Sequence, residues 1–171
     1  GEVAFENCRV SSEYLLGKEG KGLAVSMSAI GDVGRGGMVG CAIGLQAACL
    51  EESVKFAQER VLYGAPISNL QTIQNKLADM KIDLEAGRLL AYRASAMQDQ
   101  GQRCSNEFSV AKYYTTEACQ RAAKMAVDIH GGYGCMEEFP VTRFLRDSYV
   151  IGPSAGTSDI MKVIISRWVL S

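Results

Sequence analysis

The chain has 171 residues, 47% hydrophobic and 22% charged, with a formal net charge of −1. These values exclude a disordered tail and a fibrous repeat, and interleaving 18 Lys and Arg with 19 Asp and Glu argues against nucleic acid as the main partner. A chain of this length buries roughly 68–70% of its unfolded surface, so one core needs no disulfides.

The first residues, Val3-Ala4-Phe5 and Cys8-Arg9-Val10, are short β-type runs, and the segment then turns polar through Gly17, Gly20 and Gly22. They read as the tail of a β element whose sheet lies elsewhere, because two or three short strands make no stable sheet alone. From Gly22 to Val61 the apolar spacing is helical, with Leu45, Cys49, Val54 and Phe56 on the later half. Glycines at 31, 34, 36, 37, 40 and 44 cost about 1 kcal/mol each relative to Ala in a helix. Either a neighbouring helix or a ligand approaching closely would account for them. The most apolar stretch, Met38 to Leu50, runs into Glu51 and Glu52 and reads as too short to span a bilayer.

A second helix is expected over 69–100, where Leu70, Ile73, Leu77, Met80, Leu84, Gly87, Ala91 and Ala94 fall three and four apart. A third run, Ala111, Tyr114, Ala118, Ala122, Met125 and Ile129, stops at Gly131-Gly132. The last, Ile160 to Leu170, follows Thr157 and Ser158, either of which can cap it. The expectation is an all-α fold, an antiparallel up-down four-helix bundle with a short N-terminal extended segment. Six cysteines without a C-x-x-C pair, and His130 as the single histidine, read as buried or half-buried reduced thiols, with no metal site expected. No signal peptide is recognised, and a cytoplasmic location is expected.

Three features can carry chemistry. Gly131-Gly132-Tyr133-Gly134 is a side-chain-poor turn whose N–H groups can reach an anion or a flat ring, or is simply a helix C-cap. Arg60 can hold a phosphate by its forked donors, or compensate a helix end. Gly156-Thr157-Ser158 is a phosphate seat or an N-cap.

Taken in order, five motifs resemble the signature of the acyl-CoA dehydrogenase family. They are Arg60-x-x-Tyr63-Gly64-x-Pro66-Ile67, Gln71-x-x-Gln74-x-Lys76-Leu77-Ala78-Asp79-Met80, Ile129-His130-Gly131-Gly132-Tyr133-Gly134, Arg143-x-x-Arg146-Asp147 and Gly156-Thr157-Ser158-Asp159. The resemblance spans essentially the whole chain and implies the family's C-terminal helical domain over 21–171, with 1–20 the exit from its middle β domain. It implies FAD as cofactor, with contacts from Arg60, Gln71, Asp128, Gly131, Gly132, Thr157 and Asp159; Arg60 and the 128–132 turn would serve the neighbouring subunit's flavin. Many members carry Gln where Asp128 stands, and an amide is common where Asp159 stands, beside a pyrophosphate that a carboxylate repels. Asp32 and Arg35 match positions that bind acyl-CoA; otherwise they form a surface i,i+3 ion pair worth a few tenths of a kcal/mol. The implied partners are an acyl-CoA substrate, an electron acceptor such as an electron-transfer flavoprotein, and further copies in a homodimer or homotetramer.

The implied reaction oxidises an acyl-CoA to its α,β-enoyl-CoA: a carboxylate takes the α-proton as the β-hydrogen leaves as hydride to flavin. Family members place that carboxylate before the Gly-Thr of the last loop or before the Arg of the first long helix. Here those positions are Ala155 and Gly34, so the catalytic base is not identified. It comes from outside the chain, or Asp32 substitutes, or the protein is instead an enoyl-CoA reductase or a silent flavin or CoA binder. At 3.6 residues per turn Asp32 lies about 200° from Gly34, which disfavours it. Small residues at 34 and 155 would also enlarge the pocket for a bulky or cyclic acyl group. A scaffold for subunit assembly is the remaining alternative, with Val163, Ile164 and Val169 around Trp168 as the outward apolar face.

Overall fold

The computed structural model describes residues 1–171, the side chain of Asp32 excepted. Residues 1–21 are exposed throughout and form no strand, only a 3-10 turn at Ser12–Tyr14. The β-type runs have no neighbouring strand to complete their hydrogen bonds.

Helix α1 (Gly22–Ser28) continues through a π-helical turn (Ala29–Gly34) into α2 (Arg35–Glu59). Over that turn i→i+5 bonding replaces the 3.6-residue period, so positions 32 and 34 are not related by the regular α-helical rotation. The continuous run Gly22–Glu59 is, by length and composition, apolar enough to cross a membrane, which amends the reading that its apolar stretch is too short. Its packing is that of a bundle helix: Val39, Ala42, Gln46, Cys49, Ser53 and Ala57 recur every three or four residues and are all buried.

A hairpin that the periodicity did not predict follows, β1 (Val61–Leu62) pairing antiparallel with β2 (Ala65–Pro66). Tyr63 and Gly64 between them have φ of 55° and 81°, the positive pair that a two-residue hairpin loop requires. A 3-10 turn (Ile67–Asn69) then leads into α3 (Gln71–Asp99), which starts two residues later than expected.

Helix α4 (Ser105–His130) begins six residues before the expected start and is the centre of the bundle. Thirteen of its 26 residues are buried, and α2, α3, α5 and α6 all pack on it. Small side chains make this possible: Ala111, Ala118, Cys119, Ala122, Ala123 and Ala126 have no exposed surface. The buried hydroxyls return to the helix itself, Ser109 to Ser105 O (2.7 Å), Thr115 to Ala111 O (2.8 Å) and Thr116 to Lys112 O (2.9 Å), so none is left unsatisfied. Glycines on the neighbours complete the approach. A β-carbon on Gly87 would stand 3.1 Å from the Thr115 methyl, and one on Gly36 3.3 Å from the Phe108 ring.

Two helices rather than one complete the bundle: α5 (Val141–Ile151), which carries the Arg143-x-x-Arg146-Asp147 motif, and α6 (Ser158–Val169). Thr157, not Ser158, caps α6 by accepting from Ile160 N at 3.3 Å, while Ser158 donates to Glu117 Oε1 at 2.6 Å. On α6 Val163, Trp168 and Val169 are exposed, whereas Ile164 is half-buried and not part of an outward face. Cys49, Cys104 and Cys119 are buried, but Cys8, Cys41 and Cys135 are exposed, contrary to expectation.

Asp83 braces α3 to α4. Its Oδ1 accepts from Tyr114 Oη at 2.8 Å and its Oδ2 from Arg121 Nε and Nη2 at 3.1 and 2.9 Å. Because this carboxylate is largely covered, Asp83→Ala is expected to cost about 1–2 kcal/mol, read as a lower urea midpoint. Adding Arg121→Ala should then cost much less than it does alone.

Candidate functional site

The residues singled out in the sequence fall into two groups at opposite ends of α2. Arg60 caps the C-terminal end of the helix, and Arg35 opens it. A helix of 25 residues separates them by about 37 Å at 1.5 Å per residue.

At the Arg60 end lies a groove of about 610 Å³. Its walls are mainly apolar, from Phe56, Leu62, Ile67, Leu70, Ile73 and Ile129, and its rim carries Arg60, Asp128, Gly131, Gly132 and Tyr133. The Arg60 guanidinium stacks over the Tyr133 ring at 5.2 Å and has no carboxylate partner among the described residues. Gly131 ends α4 at φ 58°, and neither Gly131 nor Gly132 has any atom within 4 Å of where a β-carbon would stand. The turn is therefore a C-cap and an open backbone surface at once, so the two readings of the glycines are not exclusive. Asp128 is already held, accepting from Lys124 at 2.9 Å and Lys76 at 3.2 Å; the Lys124 bond, foremost, keeps its carboxyl below the usual range. Gln71 begins α3 at the edge of this groove, between the lining residues Leu70 and Ile73, but does not line it.

His130 forms part of the groove's floor, 3% exposed. Its ring stacks on Phe56 at 4.2 Å and meets Phe139 edge-on at 5.6 Å. Nδ1 lies 2.8 Å from the Ala126 carbonyl, which cannot donate, so the proton is on Nδ1 and Nε2 is a bare acceptor. Nε2 has no partner among the described residues. Burial, foremost, lowers the His130 pKa, partly offset by the Ala126 bond and by Glu52.

At the Arg35 end, residues 34 and 155 meet. A β-carbon on Gly34 would stand 3.4 Å from that of Ala155, so the two places where the resemblance expects a base are one place in space. The Asp32 side chain lies outside the described residues. Arg35 is buried, and its Nη1 donates to Ser105 Oγ at 3.1 Å and Ser109 Oγ at 3.4 Å on α4; its Nε has no partner among the described residues. Arg35 is therefore not a surface group. Thr157 lies two residues beyond Ala155 in the loop that enters α6, and Asp159 sits in the first turn, exposed, 3.6 Å from Lys162. An acid there suits the helix end but not an adjoining phosphate.

Sequence reasoning missed Lys112. It has no exposed surface, and Nζ donates to the carbonyls of Gly152 and Gly156, on either side of Ala155. Burial lowers its pKa, with Glu117 opposing and Arg35 adding to the shift. The available signal was spacing, since Phe108, Lys112, Cys119 and Ala123 fall on one seam of α4.

Residues 20–170 match the family model for the acyl-CoA dehydrogenase C-terminal domain. The chain is 43% identical over 169 residues to an acyl-CoA dehydrogenase of Bacillus subtilis, covering 99% of this chain and 44% of that protein. It is 40% identical over 169 residues to an acryloyl-CoA reductase (NADH) of Anaerotignum propionicum, covering 99% and 43%. Among solved structures, butyryl-CoA dehydrogenase from Megasphaera elsdenii superposes with a TM-score of 0.93 at 34% identity, covering 98% of this chain and 43% of that one. PigA, solved with FAD and proline, gives 0.85 at 30%, covering 90% and 40%. The chain thus spans less than half the length of the proteins it matches.

The lowered His130 pKa sets a pH dependence. The unfolded histidine takes up its proton near pH 6.5 and the folded one only at lower pH. Stability is therefore expected to fall as pH drops below about 6.5 and to level off below the folded pKa. His130→Phe should flatten that acid limb in melting temperatures recorded between about pH 4.5 and 7.5.

Proposed function

The chain belongs to the acyl-CoA dehydrogenase family, and from that premise we propose that residues 21–171 are the helical C-terminal domain of a longer FAD-dependent acyl-CoA oxidoreductase, with 1–20 leading in from a β domain. The observation that carries this reading is the meeting of residues 34 and 155 beside the loop that enters α6. Two positions distant in sequence, each able to present a base, converge on one seat.

Both ends of α2 suit parts of a dinucleotide. The Arg60 groove offers an uncommitted guanidinium, an aromatic face and open glycine backbone, which fit a phosphate and a planar ring. The α6 end offers the Thr157-capped helix N-terminus. Because about 37 Å of helix separates them, the groups serve two FAD molecules, one belonging to a neighbouring copy. That supports a homodimer or homotetramer. Arg60, Gln71, Asp128, Gly131 and Gly132 then face the neighbour's cofactor, and Thr157 faces the chain's own. Asp159 fits a phosphate only when turned away towards Lys162. Arg35, buried on α4, acts on the thioester site by holding residue 34 in place, and Asp32 remains a CoA-binding candidate. When bound, FAD supplies the two-electron acceptor or donor that this chain's side chains lack.

With no carboxylate at 34 or 155, the leading reading is a dehydrogenase of a bulky or cyclic acyl-CoA whose base comes from outside the chain, passing electrons to an acceptor such as an electron-transfer flavoprotein in the cytoplasm. The second reading, an enoyl-CoA reductase, is favoured by the 40% identity to an acryloyl-CoA reductase. Anaerobic addition of straight, branched and cyclic acyl-CoAs to the full-length flavoprotein separates the two. Bleaching of the flavin band supports the dehydrogenase. No bleaching, with reoxidation of the pre-reduced flavin by enoyl-CoAs, supports the reductase, and neither response sinks both. Arg60→Ala is expected to lose most bound flavin through a dialysis that wild type survives, with oligomer size unchanged. Full flavin occupancy in that variant would refute the assignment of the groove.

A further inference from the structure

We propose that Lys112 is a positioning residue for the seat at 155, fixing the loop that carries it independently of the α2 side; this rests on the reading of residues 34 and 155 as the place beside the reacting carbon. Four observations converge. The lysine is wholly buried and forms no ion pair among the described residues. Such a charge is costly to keep unless it is hydrogen-bonded. Its acceptors are two main-chain carbonyls, Gly152 and Gly156, which bracket residues 153–155. The bracketed loop has one side-chain tie of its own, Ser154 Oγ donating to Val150 O at 2.7 Å, yet it carries Ala155 at φ 55° and Gly156 at φ 112°, and the left-handed region is unfavourable for alanine.

The other half of the seat is held separately, though from the same surface. Ser105, Ser109 and Lys112 stand at i, i+4 and i+7 on α4, one face of the helix. The two serines take the Arg35 guanidinium, which fixes residue 34 as the next residue in the chain. The lysine takes the loop. One helix face thus sets both walls of the seat, by different side chains.

That division predicts a selective effect, which a general role in folding would not produce. A carboxylate is first installed from either wall of the full-length flavoprotein, as Gly34→Glu or Ala155→Glu. Each is expected to speed anaerobic flavin reduction by a straight-chain acyl-CoA, whose α-carbon would lie at this seat and out of reach of a base from outside the chain, since a positioned base contributes about 10²–10⁴-fold. Lys112→Met is then added to each. In the Ala155→Glu background it is expected to lower the rate by about 10²-fold, the cost of misplacing a reacting group by about 1 Å. In the Gly34→Glu background the rate should fall by less than about threefold, with flavin content unchanged in both. An equal fall in both backgrounds, or in neither, overturns the proposal. Should the methionine variant fail to fold, Lys112→Arg keeps the charge while changing the geometry, and the same asymmetry is required of it. If neither glutamate speeds reduction in the presence of Lys112, the reading of the seat fails first, and the inference with it.

Discussion

Everything in this bundle depends on how closely four helices can approach α4. A helix surrounded on most sides has no room for large side chains and no water for polar ones. Its buried face is therefore mostly alanine, cysteine, serine and threonine, with each hydroxyl returned to a carbonyl three or four residues earlier. The close-packed interior leaves few voids, so the exceptions on that face are conspicuous. Two basic side chains are buried along it, Lys112 near the first third and His130 at the end. Each lies at one of the two candidate sites, and each is satisfied chiefly by main-chain carbonyls rather than by a carboxylate.

Charge is distributed differently at the two ends. At the groove the acid is neutralised, since Asp128 sits between Lys76 and Lys124 and leaves Arg60 as the uncommitted charge. At the seat, Arg35 and Lys112 are both buried, and neither forms an ion pair among the described residues. At the groove the uncommitted guanidinium has the sign that a phosphate requires, whereas at the seat Glu117 stands close enough to Lys112 to act on its charge. The two groups stand about 37 Å apart on one stiff helix.

Much of the architecture was legible because it is periodic. Helix α3 follows its seam of Leu77, Met80, Leu84, Gly87, Ala91 and Ala94, and the sequence-based limits differ from the observed ones by only two residues. The start of α4 was missed because Ser105, Asn106 and Glu107 carry no apolar signal, their helical state being set by packing. Helix α5 is short, and its Arg143, Arg146 and Asp147 read as a motif rather than as the outer face of a helix whose inner face is Val141 and Ser148. Of the candidate site, the residue types and their order were readable; the pairing of 34 with 155, the separation of the two groups and the role of Lys112 were not. Those depend on contacts across 40 to more than 100 residues of chain, which no local pattern encodes.

The empty seat is a property of the side chains and not of the backbone. Gly34 has φ −63° and ψ −42°, ordinary helical values open to any residue, and a β-carbon there would make only a normal contact with Ala155. Nothing in the fold requires glycine at that point, unlike Gly134, where a β-carbon would lie 2.8 Å from the Val127 carbonyl. Ala155 argues the same way from the opposite side. At φ 55° a glycine would be cheaper, so the chain pays for a β-carbon there and then ends the side chain at once. The backbone therefore admits a β-carbon on both walls, and glycine at 34 is a choice of side chain rather than a demand of the main chain.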